Sequence, residues 1–193
     1  MSNLTVSRLS GPAANSNQIV VPSGHSLIAP GHVLQVQVKR YDTPTTYTTG
    51  TSGVEFTDMR VTITPKSASS MILCIFQCHG EGGSTHDYIY RVWKNGSTPT
   101  GTYAGFNNVA GNQYWSGIAQ GMPYETDYSS TPFTTSFHYH DFPGVTTAIT
   151  YAPGMMNSAG SAYTWYLNRP VATTGTTNQE VGVSFSIAME IGQ

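Results

Sequence analysis

The strict two-residue alternation in residues 32–39 and 181–191 limits this chain to a β fold. Leu34, Val36 and Val38 alternate with Gln35, Gln37 and Lys39, and a period of two is that of side chains leaving opposite faces of a strand. The same period runs through Val181, Val183, Phe185, Ile187, Met189 and Ile191, with Gly182, Ser184, Ser186 and Glu190 facing the other way. Arg60-Val-Thr-Ile-Thr64 is a shorter alternating strand stopped by Pro65. Met71 to Gln77 is almost continuously apolar, which predicts a strand covered on both faces. Further strands are predicted near 87–94, 133–141, 147–152 and 162–168, with Asn95-Gly96 and Pro143-Gly144 as turns between such runs. No 12-residue stretch carries a 3.6-residue period, and only Ser67 to Ser70 reads as weakly helical. Many short strands punctuated by Gly, Pro and Asn predict an all-β chain, a jelly-roll-like antiparallel β-sandwich.

The length suits one domain with a short appendage. Residues 29–193 read as the sandwich. Residues 1–28 read as an extended N-terminal arm or anchor, because they lack core-like alternation. Only 9% of residues are charged, against roughly 25% in an average soluble domain, and Thr, Ser, Gly, Asn and Gln replace the missing charge. Twelve Tyr, seven Phe and three Trp argue against disorder and supply large apolar bodies for a core or an interface. So little charge leaves few side chains that are costly to desolvate, which suits a chain that works in an assembly.

A net charge of −2, with only Lys39-Arg40 adjacent among the basic residues, excludes a strong nucleic-acid footprint. No apolar run approaches the roughly 18 residues that span a bilayer, so no membrane partner is expected. Met1-Ser-Asn-Leu-Thr-Val6 has no basic region followed by an apolar one, so no signal peptide is expected and synthesis is placed in a cytoplasm. Cys74 and Cys78 fall on one face of one predicted strand. Four residues put their Cα atoms about 13 Å apart, too far for a disulfide, and both read as small buried hydrophobes.

The order of segments resembles a domain of tailed-bacteriophage virion appendages, found in tail-fibre, head-fibre and decoration proteins. Ala29-Pro-Gly-His-Val-Leu-Gln-Val36 is similar to its opening. Phe56-Thr-Asp58, Val61-Thr-Ile-Thr-Pro65, Ser67, Ser69-Ser70 and Ile72-Leu73 resemble its central signature. Arg91-Val-Trp-Lys-Asn-Gly96 resembles its hairpin, and Asp141-Phe-Pro143 with Thr146-Thr147 and Thr150-Tyr151 a later segment. Asn168-Arg169 and the closing Met189-Glu-Ile191 complete the series, which covers about residues 29–191. Met71 departs from it, standing where a Lys is common. The resemblance implies a jelly-roll-like sandwich, often a homotrimer, on the exterior of a phage particle, joined to other virion proteins through its arm. It implies no catalytic residue and no cofactor. The function expected is that of a tail- or head-fibre type appendage adhering to host surface glycans. The alternative is a capsid decoration or cement protein, and a glycan-degrading enzyme is kept as a residual.

The long 96–132 segment has its own composition, rich in Gly, Thr and Asn and dotted with Tyr103, Phe106, Tyr114, Trp115, Tyr124 and Tyr128. Rigid aromatics on such loops make broad amphipathic contact surfaces, and their faces stack on sugar C–H groups. These six are the candidate ligand-binding residues. The competing reading is that they fill the end of the sandwich or a subunit interface. His138 and His140, two apart on a strand, point to one face about 6–7 Å from each other and are weak candidates for a metal. Their plain reading is a polar exposed face with Thr134 and Ser136, so no metal is assigned. His79 and His86 flank a Gly-rich loop with Glu81 and Asp87 and are no more specific. The chain has no Gly-x-Ser-x-Gly elbow, no phosphate-cradling loop and no His-Glu-x-x-His, so it is not expected to be an enzyme.

Overall fold

The computed structural model describes residues 30–50, 53–96, 119–121, 130–157, 161–172 and 180–193, together with Ala13. The expected arm over residues 1–28 therefore lies, apart from Ala13, outside the described residues. Eleven strands follow in chain order: β1 (Val33–Tyr41), β2 (Thr45–Thr49), β3 (Val54–Glu55), β4 (Val61–Ile63), β5 (Met71–Gly82), β6 (Tyr88–Lys94), β7 (Ala119–Gln120), β8 (Phe133–Asp141), β9 (Ile149–Asn157), β10 (Tyr163–Leu167) and β11 (Ser184–Ile191). A 3-10 turn at Thr57–Met59 lies between β3 and β4. All the pairings are antiparallel.

Two sheets result. In the larger, β1-β11-β5-β8 are neighbours, and in the smaller, β4-β9-β6-β7. Numbered one to eight in chain order, these strands run 1-8-3-6 in one sheet and 2-7-4-5 in the other. That is the order of a jelly roll. β2 and β10 pair with each other and extend the large sheet along the last residues of β5, while β3 adds to β9.

The core between the sheets is aromatic. Tyr90 stacks on Phe137 at 5.1 Å and meets Trp165 and Phe56 edge-on. Phe76 packs on Phe137 and Tyr88 on Trp165, each at 5.4 Å. Ile72, Cys74, Phe76 and Cys78 all point inward from β5 and are fully buried. Both cysteines are unpaired, as their spacing requires, and burial pushes both thiols far above their usual range.

Two expectations need correcting, and the structure supplies the inward side that alternation alone leaves open. The outward residues of β5, Met71, Leu73 and Ile75, are only half-buried, so this strand is not covered on both faces within the chain. On β11 the polar side of the alternation is the inward one. Ser184, Ser186, Ala188 and Glu190 are buried, while Phe185, Ile187, Met189 and Ile191 face out, half-exposed. Small inward residues let the connecting segments approach: Ser186 donates to the Met59 carbonyl at 2.7 Å and Ser184 to the Asn168 side chain at 2.6 Å. Finally, Ser67–Ser70 is a turn and not a helix, because it wraps on the Glu190 carboxylate. That group accepts the Lys66 amide at 2.7 Å, the Ser67 amide at 3.1 Å and the Ser70 hydroxyl at 2.7 Å, and its other oxygen takes the Gln35 amide at 2.6 Å.

Candidate functional site

The Asn95-Gly96 turn closes β6 with both residues in the left-handed region, at φ 55° and 66°, the pattern that tight reversals of a twisted strand require. Beside it opens a cavity of about 310 Å³ lined by Arg60, Thr62, Asn95, Gly96 and Thr150. Thr62 and Thr150 face each other across β4 and β9, and their hydroxyls are 2.8 Å apart. The Asn95 side-chain oxygen accepts the Thr150 amide at 3.0 Å, and the Thr150 carbonyl accepts the Asn95 amide. Arg60 is clasped by Glu55 through two bonds, at 2.8 and 2.6 Å. A Cβ at residue 96 would meet the Arg60 guanidinium at 3.0 Å, so glycine lets the guanidinium lie close against the turn.

Electrostatically the cavity is neutral, since Glu55 offsets the Arg60 charge. It offers hydroxyls, an amide and guanidinium N–H groups, with no net field to draw a phosphate. That chemistry suits a neutral, hydroxylated ligand. The sequence reading did not single out these residues as a site. Arg60, Thr62 and Thr150 each look like ordinary strand residues until the β4–β9 register brings them together. The Asn-Gly turn was the only visible signal.

The six aromatic candidates, Tyr103, Phe106, Tyr114, Trp115, Tyr124 and Tyr128, lie outside the described residues. His138 and His140 both stand exposed on the outer face of β8, opposite Ile75 and Leu73 of β5. Phe142 meets His140 edge-on at 6.1 Å. No group of three or more His, Cys, Asp and Glu side chains is assembled to hold a metal among the described residues. The residues around 79–87 do not converge. His79 bonds Thr134 at 2.8 Å, and His86 packs on Tyr163 at 4.6 Å. Glu81 is turned inward, taking the Thr131 amide and hydroxyl and the Val171 amide. Burial lowers the affinity of His79 for a proton, against an opposing pull from Glu180.

Two further acidic groups hold the scaffold. Asp141 accepts the Tyr151 hydroxyl and the Lys94 ammonium, each at 2.6 Å, and Asp58 accepts the Tyr47 hydroxyl at 2.9 Å. Asn168, at φ 62°, reaches the carbonyls of Tyr41 and Thr43. Segments far apart in sequence therefore meet one another in space: Lys94 with Asp141 and Tyr151, and Glu190 with Lys66, Ser67 and Ser70. No protein-family model matches the chain, and no curated protein matches it at a significant level.

Proposed function

We propose that the protein is a structural, adhesive component on the outside of a tailed-bacteriophage particle, a tail- or head-fibre type appendage that grips host-surface glycans. The observation that carries this reading is the neutral, hydroxyl- and amide-lined cavity at the Asn95 turn. In sequence, that turn leads directly into the aromatic-rich 96–132 segment. Polar groups that bond sugar hydroxyls and rings that stack on sugar faces are the two halves of a glycan site. The resemblance adds a homotrimer, attached to other virion proteins through residues 1–28. The protein works by binding, without catalysis or cofactor.

The test is binding of the purified chain to host-envelope polysaccharide, read by calorimetry. Tyr114→Ala with Trp115→Ala is expected to cost about 2–4 kcal/mol of affinity per site. Thr62→Val with Thr150→Val is expected to cost about 1–2 kcal/mol, with the melting temperature recorded for both variants as a control on folding. Wild-type protein that binds no host glycan while remaining part of purified particles would replace adhesion with capsid decoration.

A further inference from the structure

The outer face of the large sheet is an apolar surface that the described residues leave open. The strand registers lay its side chains in rows across β1, β11, β5 and β8. One row is Val36, Met189, Leu73 and His140, and the next is Val38, Ile187, Ile75 and His138. Ile191 and Met71 extend it at one end, beside Val33. Val36 is 47% exposed and Val38 64%, and the β11 and β5 members are half-exposed. Four strands about 4.8 Å apart and eight residues at about 3.3 Å each give a face of roughly 500 Å². A patch of about that size matches the largest on a typical monomer, and such patches are often functional.

We propose that this face is where a second copy of the same chain seats, sheet against sheet. Two facts select that occupant. Arg40, on the adjoining row with Phe185, Gln77 and Ser136, is the one Lys, Arg, Asp or Glu side chain on this face among the described residues, and Asp42 pairs with it at 3.2 Å. The face is thus neutral, so two copies meet without like-charge repulsion, while an acidic or basic partner finds no complement. Two such faces together bury about 1,000 Å², the size at which specific interfaces begin. Contact through the free edge of β1 is disfavoured by Lys39 and Arg40, since charges on an edge strand oppose pairing with another strand. The inference stands on the exposure and charge of this face and holds even if no glycan binds.

Light scattering of the full chain at micromolar concentration tests it without reference to any host. A mass of at least twice 20.8 kDa is expected. Val38→Lys with Ile187→Lys is expected to return the single-chain mass with the β-type circular dichroism intact, while Thr147→Lys, at an exposed position just before β9 of the other sheet, leaves the assembly unchanged. Should the lysines prevent folding, Val38→Ser with Ile187→Thr is expected to weaken association at least tenfold. A monomeric wild type, or face variants that associate as tightly as wild type, overturns the proposal. So does a full chain that is monomeric when a version starting at residue 30 assembles, because the N-terminal segment would then be the occupant.

Discussion

The outer faces of the two sheets are both built from large apolar side chains, yet they end in opposite states. On the small sheet Trp93, Ala152 and Met156 point away from the core, and all three are buried by the chain itself. The Trp93 ring lies so close over Gly154 that a Cβ there would come within 2.3 Å of it, and Gly53 packs against the same ring. On the large sheet Val36, Val38 and their neighbours have no such cover among the described residues. An apolar outer face can thus be closed from within or left for another molecule, and side-chain type alone does not say which.

The sharpest way to break this comparison is Trp93→Ala. If the small sheet is sealed by its own chain, removing that ring opens a cavity and costs about 3–5 kcal/mol in urea unfolding. A loss under about 1 kcal/mol would mean that the ring is not part of the folded interior.

The next prediction separates the two sides of one strand. Glu190 faces inward from β11, whose other side is open. Glu190→Ala is expected to cost about 2–3 kcal/mol, since it strands two amides and a hydroxyl that bond to a charged group. Burial works to raise this carboxyl, but the bonds from Gln35, Ser70, Ser67 and Lys66 together hold it below the usual glutamate range. Its stabilisation is therefore complete above the unfolded-state value and lost as pH falls through the lower folded one. Urea titrations at several pH values should show wild type and variant converging in acid, and a gap independent of pH would contradict the bonding described.

The smallest effect belongs to the open face. Val38→Thr keeps a β-branched side chain at an exposed position, so unfolding of the dissociated chain is expected to shift by no more than about 0.5 kcal/mol. A larger loss at high dilution would show that the face is closed within the chain after all.

Strand positions were readable because period two survives in single segments. The 133–141 strand, the Asn95-Gly96 turn and the unpaired inward cysteines all came from local pattern. Which side of β11 faces the core did not. Alternation gives two faces without an inside, and Ser184, Ser186 and Glu190 are inward because their partners, Asn168, Met59 and the 66–70 turn, are supplied by distant sequence. The cavity was hidden for the same reason, since it exists only once Thr62 and Thr150 are in register 88 residues apart. On the aromatic candidates of the 96–132 segment, residue type is the sole basis.

The position of β11 also sets the order in which the molecule can be made. It lies between β1 and β5, and its Glu190 reaches Gln35 across 155 residues of chain. As the ribosome delivers the polypeptide, β1 and β5 have no strand to join them. The large sheet cannot close until residues 184–191 emerge. Contacts this remote make folding slow, and the unpaired edges and apolar rows stay uncovered meanwhile, open to aggregation. Refolding from denaturant should then be limited by the capture of this one strand.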